Sequence, residues 1–137
     1  MAKPLVLYYT SPFMNNTLSK QEKLKSATEI SLIFEDGNSI AAYPIRLFYR
    51  KTSFQEGVIC KAAFSVSKRK FKKAVDRNRI KRLLREGYRK NKYIVFDTAN
   101  PHQYALIFLY TGKELPDYIT VEKKIKKLLT SFIETIK

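Results

Sequence analysis

The 137-residue chain reads as a single small α+β domain with the order helix, strands, helix, strand, helix. Three observations predict it. Apolar residues recur at helical spacing in three separate stretches, alternating or solid apolar runs lie between them, and no repeat, low-complexity tract or linker divides the chain. The length suffices to bury a proper core, and a hydrophobic content of 45% sets the chain apart from a disordered basic tail.

Residues 1–18 show no clear period and read as an N-terminal arm. Tyr8, Tyr9 and Phe13 either pack on the domain or belong to a loose arm, and the sequence leaves both open. The domain proper is expected over 19–137. Ser19 with Glu22, and Ser26 with Glu29, have capping-box spacing. The second box introduces the better helix, over 27–36, with Ala27, Ile30, Ile33 and Phe34 as its apolar stripe and Gly37 as its stop. A turn of helix before it fits the first box.

Ser39 to Lys51 reads as extended. Ile45, Leu47 and Tyr49 alternate with Arg46, Phe48 and Arg50, so two arginines and a phenylalanine share one sheet face. Pro44 breaks the run into two short strands or marks an edge. Thr52 to Gly57 reads as a hairpin loop. Val58 to Val66 is a mostly apolar strand, expected to be central. Helix resumes at Asp76 as cap, with an inner face of Ile80, Leu83, Leu84 and Tyr88. Its outer face is Arg77, Lys81, Arg85 and Arg89, with Asn78 and Arg82 alongside. Gln103 to Tyr110 is a third clear strand, Thr111-Gly112 turns the chain, and a last amphipathic helix runs from about Thr120 on Val121, Ile125, Leu128, Leu129, Phe132 and Ile136.

Charge is the most informative property. Residues 61–92 hold 14 Lys and Arg against two acids, Asp76 and Glu86, while the other residues carry 13 basic and 10 acidic side chains. The formal charge of +15 is therefore a patch. An ordinary solvated face mixes signs to limit repulsion. A concentrated cationic patch releases counterions on meeting a polyphosphate, so nucleic acid is the expected partner. Arginine adds forked donors that match phosphate oxygens. Asn78, in the first helical turn, has a donor and an acceptor for a phosphate or a base edge.

Other classes find little support. No apolar run approaches the roughly 20 residues of a membrane span, and the N-terminus is too polar and aromatic for a secretory signal. Cys60 is the single cysteine, which suits a reducing cytoplasm. Its apolar surroundings suggest a buried structural thiol. A protein-only nuclease needs clustered carboxylates for metals or a nucleophile with a base. Here His102 lies in a Pro-adjacent loop, the acids are dispersed, and the adjacent pair Glu35-Asp36 reads as a helix end. Cys/His spacing for zinc, a Gly-rich phosphate loop and a two-helix DNA-reading turn are all missing from the sequence. Catalytic and metal-ligating protein residues are therefore expected to be none, and a structural RNA-binding protein, such as a ribosomal protein, remains the alternative that composition alone does not separate.

The run Arg77-Asn78-Arg79-Ile80-Lys81-Arg82-Leu83-Leu84-Arg85-Glu86, preceded by Phe64-Ser65-Val66-Ser67-Lys68-Arg69, resembles the RNR signature of the bacterial ribonuclease P protein component family. The resemblance covers roughly residues 20–136. It implies a ribosomal protein S5 domain 2-like fold with the RNR helix as a left-handed crossover between parallel strands. It further implies an accessory subunit of a ribonucleoprotein endoribonuclease that removes the 5′ leader of precursor tRNA. The partners would be the catalytic ribonuclease P RNA and precursor tRNA, with no DNA and no membrane. Hydrolysis would rest with the RNA and its Mg2+, with no cofactor held by protein ligands.

Carried over by position, the resemblance gives Arg77, Asn78, Arg79, Lys81, Arg82 and Arg85 a face toward the catalytic RNA. Arg89 and the loop residues Lys68, Arg69, Lys70, Lys72 and Lys73 extend it. A leader-binding cleft between the first helix and the sheet would use Phe34, Arg46, Phe48 and Arg50. Phe34 has a second reading as a core residue, since its spacing allows that too. Ile30 stands where the family usually has Phe, and stacking is lost with Ile. The loop 70–75 lacks the family's common glycine and is one residue longer.

Overall fold

The computed structural model describes residues 22–54, 58–96 and 102–136. Ser19, Tyr8, Tyr9, Phe13 and the arm 1–18 lie outside the described residues, as does Gly57. Helix α1 (Ala27–Asp36) leads into β1 (Asn38–Ala42), β2 (Ile45–Thr52) and β3 (Cys60–Val66). Then come α2 (Ala74–Asn91), the short α3 (Tyr93–Phe96), β4 (Gln103–Tyr110) and α4 (Tyr118–Ile136).

The strands form one four-stranded sheet in the order β1-β2-β4-β3. β1 with β2, and β2 with β4, are antiparallel, while β3 and β4 are parallel, so the chain crosses over through α2 and α3. Two expectations are corrected here. β3 is an edge strand, and the stretch after β2 is no hairpin, because β4 lies between β2 and β3. The apolar character of β3 reflects cover from outside the ladder. Leu24 N–H donates to Ala62 O at 2.9 Å, and Lys23 bridges Ala62 in parallel.

The two sheet faces are unequal. On the main face, Ile45, Leu47, Tyr49, Ala62, Leu106 and Phe108 pack against Ile80, Leu84 and Tyr88 of α2 and Val121, Ile125, Leu128 and Phe132 of α4. Burying each large apolar side chain contributes about 1.5–3 kcal/mol. Gly87 lets α2 and α4 come close, since a Cβ there would meet Ile125 Cδ1 at 2.8 Å. Among the described residues the other face is covered by α1, through Ile33 against Ala105 and Ile107, with Leu24 beside them. Period-two alternation in β2 sends Ile45, Leu47 and Tyr49 into the main core and leaves Arg46, Phe48 and Arg50 on the thinner side.

Helix ends differ from expectation in instructive ways. Ser26 Oγ accepts from Glu29 N–H as a cap, but the Glu29 carboxylate turns to Arg50 and Thr52, because a guanidinium is a stronger partner than a backbone amide. α2 starts at Ala74 with Lys73 as a cap that gives no side-chain bond, and Asp76 sits in the first turn, where a carboxylate favours the helix dipole. α4 begins at Tyr118. Asp117 Oδ1 accepts from Thr120 N–H at 2.9 Å, and hydrogen bonding to the Thr120 side chain, then to its N–H, holds the Asp117 carboxyl below its ordinary value. The first capping box rests on Ser19, outside the described residues, and its other member, Glu22, has a long-range partner. Glu22 is buried, and Lys92 Nζ donates to both of its carboxylate oxygens at 2.9 Å.

Candidate nucleic-acid interface

The amphipathic pattern of α2 does two things at once. Ile80, Leu84, Gly87 and Tyr88 seat the helix in the core, and this fixes where the opposite face points. Asn78, Arg79, Arg82 and Arg85 are exposed along it, and Lys81 is half-buried. Arg85 also lies over the Phe64 ring at 5.9 Å, and Phe64 stacks on Phe108 at 5.8 Å. The guanidinium is thus steered by an aromatic anchored in the sheet while keeping its donors outward.

Not every cation in the run is equally available. Arg77 Nη1 donates to the carbonyls of Phe71 and Lys72 at 2.8 and 2.9 Å, so it braces the preceding loop. Arg89 makes a two-pronged pair with Glu86 at 2.6 and 3.2 Å. That hydrogen bond, first among the causes, lowers the Glu86 pKa and raises that of Arg89. Lys70 Nζ donates to Thr111 O at 2.7 Å. Lys68, Arg69, Lys72 and Lys73 are exposed in the loop between β3 and α2. Lys92, part of the basic run in sequence, is withdrawn from the surface to pair with Glu22, and burial lowers its pKa. Helical spacing gave the direction of Lys92 no warning, because its partner lies 70 residues away.

The second predicted set is assembled on the thinner sheet face. Phe34 is 48% exposed, which removes its core reading, and Ile33 takes the core position instead. Phe34 meets Phe48 edge to face with centroids 5.0 Å apart. Ile30 is half-buried against the small cluster under α1. Arg46 is exposed and donates to Ser39 Oγ at 3.0 Å, whereas Arg50 is half-buried and ion-paired with Glu29 at 3.0 Å. Phe34 and Phe48 thus meet where α1 crosses the sheet, Arg46 lies on the same sheet face as Phe48, and Arg50 is tied to α1 through Glu29. Sequence reasoning missed Glu29 in this role and the pair Lys61 and Phe54, whose ammonium and ring are 4.8 Å apart.

Phe48 with α1 and the basic helix α2 lie on opposite faces of the sheet. The row Arg46, Leu109, Ser65 crosses the α1 face near the strand ends, and the chain leaves β3 there through Ser67 into Lys68, Arg69 and Lys70. The basic loop thus runs around one end of the sheet between its two faces.

Among the described residues, no group of three or more His, Cys, Asp or Glu is placed to hold a metal ion. Cys60 is fully buried, and burial, reinforced by Glu22, pushes its thiol far above the ordinary value. His102 is exposed, and Glu35 and Asp36 end α1. Among the described residues no helix is long and apolar enough to cross a membrane.

A helix docked by its apolar face and armed with arginines on the other, next to a cationic loop, defines a small α+β protein built to hold a polyanion. The family model for ribonuclease P matches residues 18–132. The ribonuclease P protein component of Porphyromonas gingivalis is 42% identical over 114 residues, covering 82% of this chain and 83% of that protein. The Chlorobium phaeobacteroides component is 32% identical over 126 residues, covering 83% and 86%. The solved ribonuclease P protein of Thermotoga maritima superposes with a TM-score of 0.64 at 26% identity, covering 80% of this chain and 96% of that one. The Staphylococcus aureus protein, at 20% identity and the same TM-score, shares the fold. The chain belongs to the ribonuclease P protein component family.

Proposed function

We propose that this chain binds the catalytic RNA of ribonuclease P on α2 and the preceding loop, and the 5′ leader of precursor tRNA in the groove between α1 and the sheet. As a member of its family it is a protein component of an endoribonuclease, serving the maturation of tRNA 5′ ends. The observation that carries the reading is the RNR run displayed on the exposed face of a helix whose other face is core.

Asn78, Arg79, Lys81, Arg82 and Arg85, with Lys68, Arg69, Lys72 and Lys73, would neutralise phosphates of a folded RNA. Arg77, Lys70 and Arg89 contribute by bracing the loop and helix as well as by charge. Phe34 and Phe48 would receive unpaired leader bases, with Arg46 and Arg50 beside the backbone. We assign phosphodiester hydrolysis and its Mg2+ to the RNA, a reading supported by carboxylates that, among the described residues, are dispersed and do not fit a magnesium cage. The protein's part is to lower the electrostatic cost of bringing two polyanions together, so less magnesium is needed. We take residues 19–137 as the functional domain, residues 1–18 as an arm preceding it, and the cytoplasm as its compartment.

Cleavage of precursor tRNA by the cognate ribonuclease P RNA at low magnesium, with and without this protein, tests the reading. RNA-dependent stimulation is expected. Tight RNA binding without stimulation would leave only a structural RNA-binding protein, and cleavage without added RNA would overturn the assignment of the chemistry.

A further inference from the structure

Three loops meet where Ile45, Tyr110 and Val66 lie in register at one end of the sheet. They are the Tyr43-Pro44 turn, the Thr111-Gly112 turn and the basic stretch after Val66. Pro44 O accepts from Thr111 N–H at 2.7 Å and from Thr111 Oγ1 at 3.0 Å. Thr111 O in turn accepts from Lys70 Nζ at 2.7 Å. Gly112 is packed so closely that a Cβ would meet Pro44 Cβ at 3.0 Å. The turn is therefore tied by hydrogen bonds and contact to the same loop that presents Arg69, Lys72 and Lys73.

Tyr43 stands on this braced corner with 67% of its surface exposed. Its ring makes no aromatic or cationic ring contact among the described residues. Tyr110, beside it, is already packed against Phe71 and gives its hydroxyl to Glu114 O. The charges around the corner are mostly positive, with Lys68, Arg69, Lys70 and Lys113 against Glu114. A largely exposed tyrosine on a corner tied to a basic loop that attracts a phosphate backbone suits a stacked base, and such a stack is sequence-tolerant.

We infer that Tyr43 is a further RNA-contact residue, stacking an unpaired base of the catalytic RNA that the adjoining basic loop engages. The inference rests on the proposed function and adds a contact on the corner, outside both the RNR helix and the aromatic groove. The catalytic RNA is favoured over the leader because the hydrogen-bond chain from Pro44 through Thr111 to Lys70 joins Tyr43 to the basic loop.

The chain has no tryptophan, so Tyr43→Trp places a single reporter at the corner. The full-length variant would be titrated with the cognate ribonuclease P RNA transcript, then with precursor tRNA, while anisotropy of labelled RNA follows binding. Quenching of the tryptophan emission by the catalytic RNA alone is expected. Tyr43→Ala should weaken binding of that RNA roughly five- to hundredfold, and Tyr43→Phe should restore it. Unchanged emission at saturating RNA would overturn the inference while stimulation of cleavage by the same variant kept the proposed function standing. Quenching that begins only with precursor tRNA would overturn the assignment to the catalytic RNA. No RNA binding and no stimulation by the unaltered protein would overturn both.

Discussion

Lys92 and Glu22 form a two-pronged ion pair at 2.9 Å with side chains only 2% and 5% exposed. It fastens the end of the RNR helix to the segment that opens α1, so a buried contact joins the two sides of the proposed RNA surface. Removing one partner strands a charge away from water. Glu22→Gln or Lys92→Met should therefore cost about 3 kcal/mol or more, whereas replacing both by apolar residues of similar volume should cost far less. Urea denaturation of the two single variants and the double variant checks this, and equal losses in all three would contradict it.

Arg82 and Arg77 differ by what they touch. Arg82 is exposed, and Arg82→Ala should weaken RNA binding and flatten its salt dependence by about one phosphate contact without loss of stability. Arg77→Ala releases the carbonyls of Phe71 and Lys72 and should in addition lower stability by about 1–3 kcal/mol. Binding measured across a salt series, with thermal melts of the free proteins, separates them.

Phe48 should matter to the leader alone. Phe48→Ala is expected to reduce precursor-tRNA affinity by about 1–3 kcal/mol, the size of one lost stack, and leave catalytic-RNA affinity near that of the unaltered protein. Phe34, edge-on to Phe48, should behave alike. Equal losses toward both RNAs would indicate a folding defect.

The Glu86–Arg89 pair gives a dependence on pH. Its hydrogen bond depresses the Glu86 carboxyl below its ordinary value of 4.5. A group depressed in the folded state contributes stability above its unfolded value and loses it as pH falls through the folded one. The advantage of the unaltered protein over Glu86→Gln should thus be present at pH 7 and close below pH 4.5. Both side chains are partly exposed, so the difference should stay under about 1 kcal/mol. Chemical denaturation at several pH values would reveal it, and a gap that widens in acid would refute it.

Local pattern made much of this legible. The alternation of Ile45, Leu47 and Tyr49 with Arg46, Phe48 and Arg50 gave both faces of β2, and the spacing of Ile80, Leu84 and Tyr88 gave the inward side of α2. Strand order was not legible, because a solid apolar run such as Cys60–Val66 reads the same at a covered edge as at a centre. The partners of Glu29, Arg50 and Lys92 were hidden for a related reason. Their charges are satisfied across 21 and 70 residues, and periodicity carries no information over such separations. Phe34 was ambiguous because adjacent Ile33 fits the same stripe, and only packing shows which one turns inward.

The contact of Leu24 with Ala62 has a consequence for the protein before it meets RNA. A strand at the side of a sheet ordinarily offers its unpaired amides to any other chain, and growth by strand addition begins there. Leu24 and Lys23 occupy that place on β3. Among the described residues, the five-residue β1 is the other border of the sheet, and copies carrying +15 each repel one another. The few residues that lead into α1 thus also guard the free protein against templating its own aggregation.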